Sequence, residues 1–241
     1  MIKESKPIIG ILPTFNLTNE ENDPYLDTAR FVTMYSERIT EAGGIPIGIL
    51  NENVEEYFSI CDGYLWCGGE KINSSFNTCI LDALKNGKPF LGICMGAQAL
   101  STYLTMLEEQ EKENTKTLEE IYQENKKEKP YIKTLEEGNI HNHYVTKEKE
   151  SIEQAMHKVF LKENSLIASI YGKREISVVS LHKMAIARTS SAVFVSGVSC
   201  DGVVEAIEYT KNHAALLGIM WHPEVIGDTK PFLWLVSACK K

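Results

Sequence analysis

The chain has 241 residues, of which 43% are hydrophobic and 24% charged, proportions that are ordinary for a globular protein with a sizeable core. Its formal net charge of -8 argues against a nucleic acid or an anionic membrane as the main partner. The six cysteines show no C-x-x-C pair and the six histidines no H-x-x-x-H pair, so we predict a reducing compartment, no disulfide framework, no metal and no cofactor.

Apolar runs alternate with amphipathic patterns through the first hundred residues. Short apolar runs bounded by Gly, Pro and Asp predict strands, and apolar residues near helical spacing predict helices. The predicted strands are 7–13, 46–50, 64–67 and 89–93, and the predicted helices are about 26–42, 54–60, 77–85 and 97–107. This alternation predicts right-handed βαβ units and a parallel sheet with helices on both faces.

The segment 108–129 has a different composition from the rest of the chain. It is dense in Glu, Lys, Gln and Asn, with Leu118, Ile121 and Tyr122 as sparse apolar points. This composition favours a solvated helical excursion or a surface loop over a flap that covers an active site or contacts a partner. The sequence alone does not decide between these alternatives.

The sequence from residue 141 onward is richer in strand patterns. Apolar runs predict strands at 143–145, 166–168, 176–180, 193–197 and 214–220, and a last helix at about 230–239. Asp201-Gly202 between apolar residues predicts a hairpin. We find no repeat and no linker rich in Pro, Ser or Gly. We therefore predict one domain over residues 1–241, with 108–139 as a charged, variable excursion.

The sequence carries no signal that predicts targeting to a membrane. The apolar run at 8–12 is shorter than the core of a signal peptide, and no uncharged apolar stretch reaches about 20 residues. We expect a cytoplasmic protein without a membrane partner.

A cysteine lies where the strand 89–93 turns abruptly into a helix. Cys94 has Gly92 and Gly96 on either side. A tight strand-to-helix turn exposes the corner side chain, and flanking glycines let the backbone pack closely around it. The positive end of a helix also favours the thiolate form. The pattern predicts a nucleophile at Cys94, and a buried structural cysteine in an ordinary βα unit stays open as the alternative.

His222 and Glu224 are the candidates for the base and for the group that orients it. His222 follows the predicted strand 214–220, and Glu224 lies two residues further on, across Pro223. In an extended chain this spacing puts both side chains on one side, so Glu224 can bind Nδ1–H and leave Nε2 for the thiol. A turn histidine beside a surface glutamate is the commoner alternative, and the cysteine corner is what favours catalysis.

Backbone amides at two places are candidates for an oxyanion hole. Met95 begins the helix after Cys94, so its N–H is a natural donor. Gly68-Gly69 follows the predicted strand 64–67 and supplies the second donor, because glycines allow close approach to a substrate. A simple βα turn is the alternative for Gly68-Gly69.

Taken together, these segments resemble the class I glutamine amidotransferases. The resemblance rests on GICMGAQ at 92–98, GG at 68–69 and WHPE at 221–224. More narrowly, the segments 35–46, 180–182 and 201–206 resemble the peptidase C26 or γ-glutamyl-γ-aminobutyrate hydrolase branch. The resemblance implies a flavodoxin-like, doubly wound, mainly parallel α/β sheet with helices on both faces and a small antiparallel extension.

The resemblance also implies a chemistry. Cys94 would attack a γ-glutamyl amide, His222 would shuttle protons, Glu224 would complete the triad, and water would hydrolyse the thioester. Met95 and Gly69, with Gly68 beside them, match the oxyanion donors. The positions that match substrate contacts are Gln98, Ser180, Leu181 and His182. The alternatives are a helix residue packing under the turn for Gln98 and a loop histidine for His182.

Three positions depart from the usual pattern of the branch. Met95 stands where the branch commonly has Arg, Met184 where it commonly has Gln, and Lys71 where an Ile commonly follows an acidic residue. These changes leave the triad intact and bear on the leaving amine. We expect a small-molecule γ-glutamyl substrate, with a homo-oligomer left open. The alternatives are a glutaminase subunit that passes ammonia to a partner synthase, and a non-catalytic binding protein on the same fold.

Overall fold

A computed structural model of the chain describes residues 5–15, 29–50, 53–136, 143–144, 156–209, 211 and 214–239. Its strands are β1 (Ile8–Leu12), β2 (Thr14–Phe15), β3 (Ala29–Arg30), β4 (Ile45–Gly48), β5 (Gly63–Trp66), β6 (Phe90–Ile93), β7 (Ile132–Thr134), β8 (Met156–Leu161), β9 (Glu175–Val179), β10 (Met184–Ile186), β11 (Phe194–Ser199), β12 (Val204–Tyr209) and β13 (Leu216–Ile219). Its helices are α1 (Thr33–Glu41), α2 (Asn77–Asn86), α3 (Met95–Lys112), α4 (Leu118–Glu128), α5 (Leu166–Tyr171) and α6 (Lys230–Ala238), with 3₁₀ turns at Val54–Ser59 and Ser74–Phe76.

A nine-stranded sheet runs through the molecule in the order β4-β1-β5-β6-β13-β12-β11-β8-β9. From β4 to β13 all neighbouring strands are parallel, and from β13 to β9 all are antiparallel. The parallel half is the predicted doubly wound core, and the antiparallel half is the predicted extension. The α/β fold class is confirmed, and one domain over 1–241 stays a prediction.

Helices cover both faces of the sheet because successive apolar residues of its inner strands point to opposite sides. On one face, Leu65 and Ile93 pack in a core with residues of α1 and α6. On the other face, Trp66 and Phe90 pack with residues of α2 and α3. Among the described residues, no helix is long and apolar enough to cross a bilayer.

The segment 108–129, predicted as a helical excursion, is helical over most of its length. α3 continues into it, and α4 begins with a capping box in which Thr117 and Glu120 bond reciprocally. Ile121 of α4 is buried against Met106 of α3. The excursion is therefore a helical hairpin anchored on the helix that begins at Cys94, and residues 137–139 lie outside the described part of the chain.

The strand predicted at 166–168 is wrong, because these residues belong to helix α5. The side chain of Ser165 accepts a hydrogen bond from Ala168 N–H at the start of the helix, and Gly172 ends it with a φ of 65°. The carboxylate of Glu208 on β12 accepts the first two N–H groups of the helix, at 2.8 and 2.9 Å. This partner is distant in sequence, so the local apolar pattern could not reveal it.

Two other elements differ from prediction and one agrees with it. The helix predicted to begin near residue 26 starts at Thr33, because β3 pairs with β2 as a short strand. Residues 143–144 are not in a strand, while 26–28 and 145 lie outside the described residues. The predicted hairpin is confirmed between β11 and β12, where Gly202 has a φ of 79°.

Candidate active site

Cys94 lies between β6 and α3 in a backbone conformation that few residues adopt. Its φ of 51° and ψ of -107° fall outside the regions that side chains ordinarily allow. The Cys94 N–H donates to Ile219 O at 2.7 Å, and the Gln98 N–H donates to Cys94 O at 3.0 Å. These bonds hold the strained turn between the sheet and the helix, as the sequence predicts.

The glycines beside Cys94 provide space for the close approach of α3 to the sheet. A Cβ atom on Gly96 would stand 2.2 Å from the carbonyl oxygen of Trp66. One on Gly92 would stand 2.6 Å from the carbonyl oxygen of Gly96. Backbone atoms cannot rotate away from such contacts, so α3 begins directly over β5 and β6. The first amides of α3 and the Cys94 thiol therefore lie together at the carboxyl ends of the parallel strands.

His222 and Glu224 follow β13, the strand beside β6. The His222 N–H donates to Val179 O at 2.8 Å, which ties this segment to the end of β9. His222 Nδ1 lies 2.6 Å from Glu224 Oε1, and both side chains are buried. His222 Nε2 is buried, and the Cys94 side chain lies beside His222. The pair thus has the arrangement that the two-residue spacing predicts.

The surroundings of His222 favour its charged form. Burial disfavours the charge, but the attraction of Cys94 and Glu224 outweighs burial and raises the pKa of His222 to about 10. His222 therefore holds a proton at neutral pH, and this positive charge stabilises a negative sulfur beside it.

The other cysteines lie in different surroundings from Cys94. Burial raises the pKa of four of them, to about 11 for Cys61 and about 12 for Cys239. Cys200 is exposed on the surface. Cys94 lines a cavity together with His222, so among the described residues it is the cysteine that we consider placed for chemistry.

Tyr35 is a site residue to which the sequence analysis assigned no role. Its side chain is buried, and its hydroxyl accepts a hydrogen bond from Gly68 N–H at 3.1 Å. Burial and the nearby carboxylate of Glu224 raise the pKa of the Tyr35 hydroxyl well above its usual value. Tyr35 therefore links α1, the glycine turn after β5 and the Glu224 carboxylate. The only sequence signal was its place in the segment 35–46.

The glycine turn after β5 packs tightly against the site. A Cβ on Gly68 would stand 2.7 Å from His222 Cε1, and one on Gly69 would stand 1.8 Å from Thr14 Oγ1. The methyl carbon of Met95 would lie 3.3 Å from the same Cβ of Gly69. The Met95 side chain thus reaches Gly69, and the convergence of their N–H groups on one oxyanion stays a prediction.

Two cavities open on Cys94, one on either side. The first, of about 450 Å³, is lined by His222, Glu224 and Tyr35. The second, of about 660 Å³, is lined by Met95 and Gln98, and Tyr122 of the α4 excursion reaches it. The residues that line both cavities are Gly69, Glu70, Cys94, Tyr144 and Leu181. A substrate whose scissile bond lies at Cys94 therefore has space on both sides of that bond.

The residues predicted to contact substrate differ in how free their side chains are. Leu181 lines both cavities, and Ser180 is fully buried beside it. Gln98 Nε2 donates to Met184 O at 2.9 Å, and His182 Nδ1 lies 3.0 Å from the same oxygen. Gln98 and His182 line the larger cavity and fix its wall through this carbonyl, and their role in substrate binding stays a prediction.

A thiol at a strained strand-to-helix turn, with a His–Glu pair after the neighbouring strand, is the arrangement that the sequence predicts for the active site of a glutamine amidotransferase-type hydrolase. Two solved structures share the fold at 14% identity. One, described as a GMP synthase protein of Thermoplasma acidophilum, has a TM-score of 0.60 and covers 98% of this chain and 96% of its own. The other, the glutaminase domain of Trypanosoma brucei CTPS, has a TM-score of 0.63 and covers 97% and 93%.

The chain belongs to the Peptidase C26 family, whose profile matches residues 74–224, more than half of its length. It is 26% identical to a glutamine amidotransferase-like protein of Rickettsia prowazekii, over 99% of this chain and 98% of that protein. It is 25% identical to a glutamine amidotransferase-like protein of Lactococcus lactis, over 93% and 94%. The predicted place in the class I glutamine amidotransferase superfamily is confirmed.

Proposed function

We propose that the chain hydrolyses γ-glutamyl amides through a thioester on Cys94, with His222 as the acid–base and Glu224 as its orienting group. The observation that carries this proposal is the 2.6 Å contact of His222 Nδ1 with Glu224, next to the strained turn at Cys94. The contact leaves His222 Nε2 as the nitrogen that serves the thiol, and it selects the tautomer that a triad requires.

The reaction follows from these groups. The Cys94 sulfur attacks the amide carbon, a C–S bond forms and the carbonyl electrons move to oxygen. The tetrahedral intermediate collapses, the C–N bond breaks and the leaving nitrogen takes a proton from His222. Water then attacks the thioester and gives a proton to His222, the C–S bond breaks and glutamate leaves with the thiolate restored.

Met95 and Gly69 are the amides that we assign to the oxyanion. Met95 is the first residue of α3, and the first amides of a helix have no partner within it. Gly68 N–H is already bonded to Tyr35, so in this arrangement Gly68 contributes space for His222 and not a donor. Two donors aimed at the developing charge are what acyl transfer of this kind uses.

The two cavities suggest how the substrate lies. The leaving nitrogen takes its proton from His222, which lines only the smaller cavity. We therefore place the leaving amine in that cavity and the glutamyl group in the larger one, beside Gln98 and Lys183. A volume of about 450 Å³ exceeds what ammonia needs, which favours an amine larger than ammonia.

The smaller cavity is lined by side chains of both charges, and each favours a different class of amine. Arg30 suits an amine that carries a carboxylate, such as γ-aminobutyrate, and Glu70 suits an amine with a second positive charge, such as a polyamine. The two residues make opposite predictions, so a panel of γ-glutamyl amides of both kinds distinguishes them.

Glutamate release by the purified chain tests the proposal. The panel holds glutamine, γ-glutamyl-γ-aminobutyrate and a γ-glutamyl polyamine, each assayed without any other protein. We expect a γ-glutamyl amine to be cleaved faster than glutamine, Cys94→Ala to be inactive, and the surface control Cys200→Ser to keep full activity. An active Cys94→Ala variant, or no glutamate from any substrate, contradicts the proposal.

The same assay separates the alternative of a glutaminase subunit. That alternative predicts that only glutamine is cleaved, and only when a partner synthase is present. Acivicin, which is bound in the Trypanosoma brucei glutaminase domain, supplies a second probe. We expect it to label Cys94 and to leave Cys200 unlabelled, and a non-catalytic binding protein would show no selective labelling.

A further inference from the structure

Three histidines surround one buried glutamate in the antiparallel half of the sheet. Glu205 on β12 is fully buried, and its Oε1 lies 2.9 Å from His143 Nδ1, 3.4 Å from His157 Nε2 and 3.2 Å from His182 Nε2. The histidines are themselves at most 9% exposed. The proposed reaction uses neither Glu205 nor the nitrogens that face it.

The protons on these rings can be assigned from their outer hydrogen bonds. His143 Nε2 lies 3.0 Å from the Asp201 carboxylate, which only accepts, so this nitrogen carries a proton. His182 Nδ1 lies 3.0 Å from the Met184 carbonyl oxygen and carries a proton for the same reason. In the neutral rings of His143 and His182, the nitrogens that face Glu205 therefore present lone pairs to a carboxylate oxygen, and lone pairs facing each other repel.

A positive species between these atoms would remove the repulsion. Glu205 and Asp201 bring two negative charges to the cluster, so two extra protons on the imidazoles or one divalent cation would balance them. Both solutions are electroneutral, and a buried uncompensated charge is costly. Charge alone does not choose between them, so the choice rests on geometry.

The geometry favours a metal ion over two protons. His143 Nδ1 and both ring nitrogens of His157 are buried but make no hydrogen bond of acceptable angle among the described residues, although two of them lie close to Glu205. Ligand atoms of His143, His157 and Glu205 lie within 4.8 Å of one another. Zinc bonds of about 2.0–2.2 Å at tetrahedral angles separate neighbouring ligand atoms by about 3.3–3.6 Å. The His157 spacing of 3.4 Å from Glu205 Oε1 falls in this range, and the spacings of 3.2 Å for His182 and 2.9 Å for His143 are shorter.

The outer contacts are also those of a metal site. A histidine that binds a metal usually donates its other N–H to a carboxylate or a backbone carbonyl. His143 does so to Asp201, which in turn accepts a hydrogen bond from the Ser199 hydroxyl. His182 does so to Met184 O while contacting the Glu205 carboxylate.

We propose that His143, His157 and Glu205 bind a divalent transition-metal ion, with His182 completing or supporting the ligand set. Imidazole and carboxylate ligands suit zinc among the common ions. The ion would cross-link β8, β12 and the segment at 143–144. Through His182 and Met184 it would also brace the wall of the larger cavity, to which Gln98 is bonded. We assign it a structural role, since the proposed reaction uses none of the nitrogens that face Glu205.

Direct measurement of zinc binding tests the site. The chain is stripped with a chelator and titrated with zinc, with the stoichiometry read by calorimetry and elemental analysis. The background is Cys94→Ala, because a thiol beside His222 can bind zinc adventitiously. We expect one zinc per chain, and a higher melting temperature with zinc than without it. When cobalt replaces zinc, the visible spectrum should lack the charge-transfer band that a thiolate ligand gives.

The variants locate the ion. In His157→Gln and Glu205→Gln the affinity should fall by more than the roughly 10–100-fold that loss of an outer partner costs. Glu208→Gln is the matched control, because Glu208 is a buried carboxylate on the same strand that bonds only the start of α5 in the described contacts. Glu208→Gln should keep one zinc per chain.

Several results would overturn the proposal. If the chain with the intact cluster binds no zinc, the cluster is a protonated imidazole–carboxylate network. If Glu205→Gln binds zinc as tightly as its parent, the ion lies elsewhere. The zinc titration of the chain with the intact cluster tests the proposal even if the His157→Gln or Glu205→Gln variant fails to fold.

Discussion

The protein has two buried sites in which histidines meet a glutamate, and we propose a different role for each. At the catalytic corner, His222 Nδ1 contacts Glu224 at 2.6 Å, and Cys94 beside it opens onto two cavities. In the antiparallel half, three imidazoles converge on Glu205, which is fully buried. The first site has a thiol that lines two cavities, whereas the carboxylate at the centre of the second site is fully buried.

The comparison identifies what the proposed catalytic site has beyond a buried histidine–carboxylate pair. In both places a carboxylate raises the pKa of a histidine. The pairing of histidine and carboxylate is therefore not enough to make a reactive site. The catalytic corner adds a thiol held at a φ of 51°, amides at the start of a helix and two cavities. Substitutions that remove these features one at a time should lower activity, whereas matched substitutions at the Glu205 site should have smaller effects.

The largest effect is expected from loss of the nucleophile. Cys94→Ala should lower kcat/KM by about 10⁶-fold, to background, because no other described group can form the thioester. Its matched control is Cys67→Ala. Cys67 is buried directly after β5, the strand beside β6, and burial and the charge of Glu224 raise the pKa of its thiol. A control that loses as much activity as Cys94→Ala would show that packing, and not the thiol, limits the rate.

Removal of the orienting carboxylate should have the next largest effect. Glu224→Gln should lower kcat by about 10²–10⁴-fold, since a misoriented imidazole of the wrong tautomer cannot move protons efficiently. Glu205→Gln is the matching change in the closed site and should have a smaller effect on kcat. Steady-state kinetics on both variants measures the contrast, and equal losses would mean that the two carboxylates play similar parts.

The pH dependence of kcat/KM should also distinguish Glu224→Gln from Glu205→Gln, whatever the size of kcat in each variant. The pKa of His222 is raised to about 10, and the reaction needs its proton for the leaving amine, so kcat/KM should fall as pH rises through that value. Loss of the negative charge in Glu224→Gln removes a contribution that raises this pKa, so the alkaline limb should move to lower pH. In Glu205→Gln the limb should stay where it is. An unmoved limb in Glu224→Gln would assign it to another group.

An intermediate effect is expected at the glycine turn. The Cβ atom of Gly69→Ala would meet Thr14 Oγ1 at 1.8 Å, so the turn must shift. A displacement of about 1 Å at an oxyanion donor can cost roughly 10²-fold in rate. Gly172→Ala strains the backbone, because Gly172 has a φ of 65°, but its Cβ would meet no atom within 4 Å, so it is the control for lost stability without a new contact at the glycine turn. The measurement is kcat for both variants, corrected for the fraction of folded protein. Equal kcat values for Gly69→Ala and Gly172→Ala would mean that Gly69 lies outside the oxyanion hole.

The smallest effect is expected from Tyr35→Phe. This variant keeps the buried ring and removes the hydroxyl that accepts Gly68 N–H at 3.1 Å. A buried donor left without a partner costs about 1–3 kcal/mol, so kcat/KM should fall by about tenfold if that cost falls on the active conformation. Unchanged kinetics would mean that the hydroxyl does not position the turn.

The catalytic corner could be predicted from sequence because its signals are local. Gly92 and Gly96 flank Cys94 closely, and Glu224 follows His222 by two residues. The alternation of strands and helices then brings both segments to neighbouring strand ends, β6 and β13, in the observed sheet. Local spacing and parallel topology were therefore sufficient for these residues.

The parts that escaped prediction depend on contacts between distant segments. Tyr35 meets Gly68 across 33 residues, and the start of α5 is capped by Glu208 more than 40 residues away. The histidine cluster draws on residues 143, 157, 182 and 205, so no ligand spacing is visible in the chain. In each case buried polar groups from distant segments of the chain come together, which periodicity does not report.

Trapping of the acyl-enzyme tests the central claim most directly. The Cys200→Ser variant is mixed with a γ-glutamyl amide, quenched in acid within the first turnovers and digested, and its peptides are weighed by mass spectrometry. We predict a glutamyl group on the peptide that contains Cys94, with a hydroxylamine-labile bond, and none in Cys94→Ala. Glutamate released without this adduct in any quench, or an adduct on another residue, would contradict a thioester mechanism at Cys94.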